Sequence, residues 1–214
     1  MEPLNDRTIL LADDHAVVRM GYRLLLEGAG AKVVGEASSG EEALTLYASL
    51  NPDVLVMDVS MPGLGGLAAL ERLLSHSPRA KVLILSAHQD PHVPTRALKV
   101  GAQGYLCKRA TPDEFLRAVG EIAKGRRYVD PELAPQLALA RIEDKAHPVD
   151  ALSEREFAVF LQLAKGRSVN DIAEDFHISP STVGTHLYHI KQKLDVRNAA
   201  EIAMVAVRCG LIDA

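Results

Sequence analysis

The chain has 214 residues, with 24 lysines and arginines against 28 aspartates and glutamates, so its formal net charge is −4. This charge argues against a protein that holds nucleic acid by bulk positive charge, and a hydrophobic content of 48% is too high for a disordered chain. No apolar run is long enough to span a membrane and the first residues do not resemble a signal peptide, so we expect a cytoplasmic protein.

Short apolar runs alternate with amphipathic stretches of helical length from the start of the chain to about residue 124. This alternation is typical of a parallel sheet with crossover helices on both faces, so we predict a doubly wound α/β fold with five strands and five helices. The predicted strands are Thr8–Ala12, Lys32–Ala37, Val54–Met57, Lys81–Leu85 and Gly104–Cys107.

Capping residues support the predicted helices. Ser39 with Glu42, and Thr111 with Glu114, follow the pattern in which a hydroxyl caps a helix and a glutamate three residues later reaches back. Pro94 lies inside the predicted fourth helix, so we expect that helix to start late or to be kinked.

Polar residues follow four of the predicted strands. Asp13 and Asp14 follow the first strand, Asp58 the third, Ser86 the fourth and Lys108 the fifth. In an open α/β sheet these strand ends meet at one edge, where ligands bind. Converging carboxylates need positive charge among them, and such oxygen ligands suit Mg²⁺ beside a phosphate. With Asp58 central, the pattern favours attack by its carboxylate on a phosphoryl group.

A linker separates two predicted domains. The stretch 125–150 has several prolines and a charged run, although an apolar segment, Leu133–Ile142, could form a short helix within it. We therefore predict one domain over 1–128, a partly helical linker over 129–149 and a second domain over 150–214.

The second predicted domain contains four short helices. The second and third of them, joined by a short break and a Ser179-Pro180 cap, form a helix-turn-helix pattern. Units of this kind place the later helix in the DNA major groove. Val183, Leu187, Ile190 and Leu194 recur on one face and predict its core side. The candidate DNA contacts are Ser181, Thr182, Gly184, Thr185, Tyr188, Lys191, Lys193 and Arg197.

Four motifs of the first domain have a family resemblance. They are Leu-Ala-Asp13-Asp14-His15, Met57-Asp58-Val59-Ser60-Met61-Pro62-Gly63, Leu85-Ser86-Ala87 and Gly104-Tyr105-Leu106-Cys107-Lys108. With them, residues 8–124 resemble the receiver domain of two-component response regulators. The resemblance implies a flavodoxin-like fold, a bound Mg²⁺ and phosphorylation of Asp58 by a sensor histidine kinase.

The same resemblance implies roles for the other pocket residues. Asp14 and Asp58 would bind the metal directly, Asp13 largely through water, and the backbone carbonyl of Ser60 would complete the protein's share. Lys108 would bind the phosphoryl group. Ser86 and Tyr105 would form a switch pair, in which the hydroxyl moves to the phosphoryl group while the aromatic ring turns inward.

The C-terminal part resembles the LuxR-type DNA-binding domain. The resemblance is carried by Leu152-Ser153-Glu154-Arg155-Glu156, Asn170-Asp171-Ile172-Ala173 and Ser181-Thr182-Val183. Together the two resemblances indicate the NarL/FixJ class of response regulators, and Val34-Gly35-Glu36-Ala37-Ser38 leans toward its GacA/UvrY subgroup.

The class implies a regulator of transcription. Phosphorylation would release the C-terminal domain, which the receiver covers when unphosphorylated, to dimerise on promoter DNA. The fourth C-terminal helix, with Ile202, Val205 and Ala206, is the candidate dimer interface, although these side chains could equally be simple core.

Three alternatives are less favoured. A phosphatase or phosphotransferase would need an acid-base carboxylate two residues after Asp58, where Ser60 stands, so we do not expect an enzyme. A flavodoxin-like cofactor carrier would need a phosphate cradle in place of Asp13-Asp14-His15. An RNA-binding output would need aromatic stacking platforms.

The charge is distributed unevenly. Residues 151–214 hold seven lysines and arginines against eight acidic residues, a net charge of −1. Within them, the segment 180–198 is positive, with three basic residues against one acidic residue. Because such a segment can neutralise few DNA phosphates, we predict that each monomer binds nonspecific DNA weakly and that DNA binding depends little on salt concentration. Tight binding should therefore require dimerisation.

Overall fold

The computed structural model describes residues 4–87, 92–135, 137, 148–209 and 211–212, with the backbone alone for His92 and Glu154. The chain divides into two compact units, Met1–Leu139 and Ala140–Ala214. Most of the predicted linker helix, Leu133–Ile142, lies outside the described residues. In the described part of the chain, no helix combines the length and the apolar composition of a membrane span.

Six parallel strands form the sheet of the first unit, in the spatial order β2-β1-β3-β4-β5-β6. They are β1 Thr8–Ala12, β2 Lys32–Ala37, β3 Val54–Asp58, β4 Val82–Ser86, β5 Gly104–Cys107 and β6 Tyr128–Val129. The first five strands match the predicted ones within one residue, and their order is that of flavodoxin-like folds. The predicted doubly wound fold is therefore confirmed, whereas the prediction of five strands missed β6.

The described residues of the first unit contain five crossover helices, of which the second and the fifth begin at the predicted capping residues. They are α1 Ala16–Gly28, α2 Gly40–Leu50, α3 Gly66–His76, α4 His92–Val100 and α5 Pro112–Ala123. Thr111 and Glu114 form a complete capping box, and the Ser39 hydroxyl accepts a hydrogen bond from the Glu42 amide. Pro94 is the third residue of α4, and in the first turn of a helix its missing N–H needs no partner. Residues 88–91 lie outside the described residues, so the expectation of a late start stays a prediction.

Helix α3 begins in direct contact with the end of β3. A Cβ atom on Gly66 would lie 2.1 Å from the Asp58 carbonyl oxygen and 2.8 Å from the Cα of Val59. The Gly66 amide also donates to the Val59 carbonyl at 2.9 Å. Because a side chain would collide with backbone that cannot rotate away, glycine is required where α3 meets the strand that carries Asp58.

The second unit is helical in its described residues. A short 3-10 helix, Pro148–Ala151, precedes α6 Glu154–Ala164, α7 Val169–Asp175, α8 Pro180–Leu194 and α9 Ala199–Arg208. The four helices are those predicted, and each begins at a side-chain cap, from Ser153, Ser168, Ser179 and Asn198 respectively. Val183 and Ile190 of α8 are fully buried, while Leu187 and Leu194 on the same face are half-buried.

Helix α9 uses its apolar face within its own unit. Ile202, Val205 and Ala206 are exposed by 0%, 4% and 0%, and α9 packs on α6. This burial corrects the expectation that these side chains form a dimer interface, because they have no surface to offer a second copy. They are core, as the alternative stated, and the large apolar side chains that α9 exposes are Met204 and Val207.

Gly66→Ala should lower the free energy of unfolding by about 3 kcal/mol, because the new methyl group meets the backbone of β3. Gly21→Ala is the matched control in the same unit. Gly21 lies inside α1, and no atom lies within 4 Å of the place that its Cβ would take, so alanine should raise the free energy of unfolding by about 0.5–1 kcal/mol. Urea titration of the full-length variants measures both, and equal effects would contradict the required close approach.

Candidate functional site

The carboxyl ends of the strands bring the predicted pocket residues together. Asp58 is the last residue of β3, Asp13 directly follows β1 and Lys108 directly follows β5. One carboxylate oxygen from each of Asp13, Asp14 and Asp58 and one ring nitrogen of His15 all lie within 4.8 Å of one another. The structure thus forms one acidic cluster from segments that are far apart in the sequence.

Lys108 links the two most buried carboxylates of this cluster. Its ammonium group donates to Asp13 Oδ2 at 2.7 Å and to Asp58 Oδ2 at 2.8 Å. Asp13 and Asp58 are exposed by 3% and 1%, so water contributes little to their solvation. A buried carboxylate is costly without a partner, and the shared ammonium offsets that cost for both.

Backbone amides hold the other oxygens of these carboxylates. The Ser60 amide donates to Asp58 Oδ1 at 3.1 Å and the His15 amide donates to Asp13 Oδ1 at 2.8 Å. The more exposed Asp14 has an oxygen 2.7 Å from His15 Nδ1. Sequence reasoning did not assign His15 a role, although its place next to two aspartates was a usable signal.

Burial and charge act in opposite directions on Asp58. Burial raises the pKa of the Asp58 carboxyl above its ordinary value, and the bonds from Lys108 and Ser60 reduce this rise without cancelling it. For Lys108, burial alone would lower the pKa, but the bonds to Asp13 and Asp58 outweigh it, so its pKa is raised. The ammonium group therefore stays charged at neutral pH, beside a carboxyl group whose protonated form is favoured by burial.

The two residues of the predicted switch are both buried. Ser86 ends β4 and Tyr105 lies in β5, where it pairs with Ile84 of β4. Both side chains are 0% exposed. The aromatic ring of Tyr105 therefore lies in the interior of the unit.

An arginine of α1 supports the loop that carries the aspartates. Arg19 donates to the backbone carbonyl of Asp13 and, through Nε, to Glu36 of β2 at 2.7 Å. Arg23 also binds Glu36. Hydrogen bonding by Arg19 and the charge of Arg23 keep the pKa of Glu36 below its ordinary value, despite the opposing effect of partial burial. Sequence reasoning missed this network because Arg19 and Glu36 are 17 residues apart, and the sequence pattern does not show that they meet.

Most candidate DNA-contacting residues lie on the outer face of α8 or just beyond it. Ser181, Thr182, Thr185, Tyr188, Lys193 and Arg197 are exposed, whereas Gly184 and Lys191 are partly exposed. No atom lies within 4 Å of the place that a Cβ on Gly184 would take, so packing does not require glycine there. His186 is partly buried, and its pKa is lowered by burial first and by Arg155 second.

Lys193 has a partner inside its own unit. Its ammonium group donates at 2.6 Å to Oε2 of Glu156, a buried residue of α6 whose carboxylate also accepts from the Ser153 amide. Burial raises the pKa of Glu156, but the bonds from Lys193 and Ser153 outweigh it and leave that pKa lowered. The positive charge of Lys193 is therefore partly used to hold α8 against α6.

Comparison with known proteins identifies the class. Residues 9–120 match the family of response regulator receiver domains, and residues 150–206 match the LuxR family of bacterial regulatory proteins. The chain therefore belongs to the response regulators that join a receiver domain to a LuxR-type DNA-binding domain.

Two individual relatives indicate which subgroup of these response regulators the chain resembles. The chain is 41% identical over 209 residues to the response regulator GacA of Pseudomonas aeruginosa, covering 96% of this chain and 98% of the relative. It is 40% identical to the response regulator UvrY of Escherichia coli K12, covering 96% of each. The resemblance to the GacA/UvrY subgroup is thus confirmed.

Solved structures of related regulators extend over both units. The RcsB response regulator of Salmonella typhimurium matches with a TM-score of 0.72 at 26% identity, covering 96% of this chain and 99% of that one. A second RcsB structure, bound to promoter DNA in the presence of the phosphomimetic BeF₃⁻, matches with a TM-score of 0.67 at 25% identity. It covers 94% of this chain and 98% of that one.

Lys108→Met should lower the free energy of unfolding at pH 7 by about 3–5 kcal/mol, because Asp13 and Asp58 would face each other without a buried cation. Lys32→Met removes the same charge from an exposed pair with Asp6 and should have no measurable effect. Chemical unfolding of the full-length variants measures the difference. Equal losses in both variants would contradict the importance of the buried contacts.

Asp58→Asn should gain stability relative to the wild type as the pH rises. Since the pKa of Asp58 is raised in the folded state, its stabilising contribution is complete below the unfolded pKa, about 3.9, and is lost as the pH rises through the folded value. Asparagine mimics the protonated form throughout. Unfolding free energies measured in steps from pH 4 to pH 7 test this, and a relative loss by Asp58→Asn would contradict it.

Proposed function

We propose that this protein is a phosphorylation-controlled regulator of transcription in which Asp58 accepts a phosphoryl group from a sensor histidine kinase. The observation that carries the proposal is the buried Asp58 carboxylate, bonded to Lys108 beside Asp13 and Asp14 at the carboxyl edge of a parallel sheet. Membership of the response regulator family supports it.

The acidic cluster fits a magnesium ion. Three carboxylates lie around one ammonium group, so the cluster has two negative charges in excess and offers the oxygen donors that Mg²⁺ prefers. Asp14, Asp58 and the Ser60 carbonyl would hold the ion. By the family resemblance, Asp13 would contact the ion largely through water. When bound, Mg²⁺ supplies positive charge to the transferred phosphoryl oxygens.

The chain's own residues provide the nucleophile and its orientation. An Asp58 oxygen forms a bond to phosphorus while the bond from phosphorus to the histidine nitrogen of the kinase breaks, giving an acyl phosphate. The Ser60 amide orients the carboxylate. Lys108 is bonded to Asp13 and Asp58 in the structure. After transfer, its ammonium group can donate to the oxygens of the phosphoryl group on Asp58.

The output is DNA binding by the helical unit. RcsB, a relative, has been solved on promoter DNA with a phosphomimetic, and as two dimers on two DNAs. By analogy, phosphorylation here releases the helical unit to dimerise on promoter DNA, a function exercised in the cytoplasm. Bases would be read by Gly184, Thr185 and Tyr188, and phosphates held by Ser181, Thr182, Lys191 and Arg197.

Turnover as an enzyme is not part of the proposal. The residue two positions after Asp58 is Ser60, which cannot act as the acid-base carboxylate of an aspartate-dependent phosphatase. Slow hydrolysis of the acyl phosphate would then reset the switch without making the protein a catalyst of phosphoester hydrolysis.

Incubation of the full-length protein with a small phosphodonor and Mg²⁺ should add one phosphoryl group to the wild type and none to Asp58→Ala. The modified wild type should bind promoter DNA about 5–150-fold more tightly, the usual range of coupling between two sites. Intact-mass measurement and a DNA shift assay give the two readouts. Modification of Asp58→Ala, or rapid turnover of the donor, would contradict the proposal.

DNA binding by the phosphorylated protein should show a shallow salt dependence. The segment 180–198 has three basic residues, and Lys193 is already paired with Glu156, so each helical unit neutralises few phosphates. Lys191→Ala should reduce the slope of log affinity against log salt concentration by about 1 for each helical unit bound, whereas Lys193→Ala should reduce this slope less. Fluorescence anisotropy over a range of salt concentrations measures the slopes, and a steep slope for the wild type would contradict this charge count.

A further inference from the structure

A buried aspartate lies at the beginning of the segment that leads out of the α/β unit. Asp130 directly follows β6 and is exposed by 5%. It is outside the acidic cluster, and its position falls in the stretch that the sequence predicts to be linker. A buried carboxylate in such a place needs partners, and Asp130 has them on two sides.

Each oxygen of the Asp130 carboxylate accepts a backbone hydrogen bond from a different segment. Oδ2 accepts from the Cys107 amide of β5 at 3.0 Å, and Oδ1 accepts from the Glu132 amide at 2.9 Å. Cys107 is the residue before Lys108 and Glu132 lies in the turn that follows β6. One carboxylate therefore joins the end of β5 to the first residues beyond the sheet.

The carboxylate takes the place of a backbone carbonyl in the sheet. Strands β5 and β6 are parallel, and the Asp130 amide donates to the Tyr105 carbonyl at 2.9 Å. The next bond of a parallel ladder would run from the Cys107 amide to the Asp130 carbonyl. That carbonyl instead accepts from the amides of Leu133 and Ala134, at 3.0 Å each, and begins a helical turn. Oδ2 of the same residue satisfies Cys107.

Close packing holds β6 against β5 next to this point. A Cβ on Gly104 would lie 2.8 Å from the Tyr128 carbonyl oxygen and 2.5 Å from Ile122 of α5. Leu133, in the turn after Asp130, is itself buried, and the Leu137 amide donates to its carbonyl. The turn is therefore anchored by its side chains as well as by Asp130.

We propose that Asp130 is a positioning residue that transmits the state of the Asp58 pocket from β5 to the start of the linker. The inference rests on the proposed function, because it takes Tyr105 and Lys108 as the groups that respond to phosphorylation. They flank the Cys107 amide along the strand. A shift of this segment moves the Cys107 amide, and the carboxylate that accepts from it carries the first turn of the linker along.

Two substitutions separate the two contacts of Asp130. Asp130→Ser keeps a good cap for the Glu132 amide, but the shorter side chain cannot also reach Cys107. Asp130→Asn keeps the shape of the side chain but replaces one carboxylate oxygen by an NH₂ group, which cannot accept from the backbone donor that it faces. Glu132→Gln is the matched control, since it removes one negative charge from an exposed side chain two residues away.

The experiment compares full-length wild type, Asp130→Ser, Asp130→Asn and Glu132→Gln, each with Mg²⁺ and with or without beryllofluoride. Amide hydrogen exchange in the segment 130–137 reports the turn, and a DNA shift assay reports the output. In the wild type and Glu132→Gln, beryllofluoride should change exchange in this segment and tighten DNA binding. In Asp130→Ser, exchange without beryllofluoride should stay within about twofold of wild type, while the gain in DNA affinity falls at least about fivefold.

Asp130→Asn should break one of the two contacts and weaken the other by loss of the negative charge, so that the amides of this segment exchange about tenfold faster even without beryllofluoride. Protection of the Asp58 segment by beryllofluoride, retained in both Asp130 variants, shows that they are folded. An undiminished DNA response in Asp130→Ser and Asp130→Asn would overturn the inference and leave the proposed function standing. A wild type that does not respond to beryllofluoride would overturn the proposed function, and the inference with it.

Discussion

Two carboxylates are buried at one edge of the sheet, and the ammonium group of Lys108 lies between them. The carboxyl ends of β1, β3 and β5 can meet there because this cation offsets the electrostatic repulsion between Asp13 and Asp58. The compensation is incomplete, since burial still raises the pKa of Asp58. Excess negative charge in this pocket favours a further cation, as the proposed phosphoacceptor role would require.

The sequence was sufficient for the fold class and the pocket because both depend on local patterns. Buried strands are continuous apolar runs, and residues that follow parallel strands share an edge. It was insufficient for β6, because a strand of two residues has no periodicity and is held by contacts with Gly104 and Tyr105. The sequence also did not single out Asp130, because its partner Cys107 is 23 residues away along the chain.

In the helical unit, the sequence pattern predicted the four helices but not what their side chains contact. The apolar face of α9 could have met a second copy or its own unit, and the sequence cannot distinguish these cases. Packing on α6 decides for Ile202, Val205 and Ala206. Similarly, a lysine in a DNA-reading segment looks available for phosphates until the fold places Glu156 beside Lys193.

The pairing of Lys193 with Glu156 has a consequence for how the protein is distributed in a cell. A chromosome offers a vast excess of nonspecific sites, and a regulator with many free cations spends most of its time on them. Committing one of three basic residues of the segment 180–198 to an internal contact reduces this sequestration. Under the proposed function, a larger fraction of the protein would then stay free of nonspecific DNA.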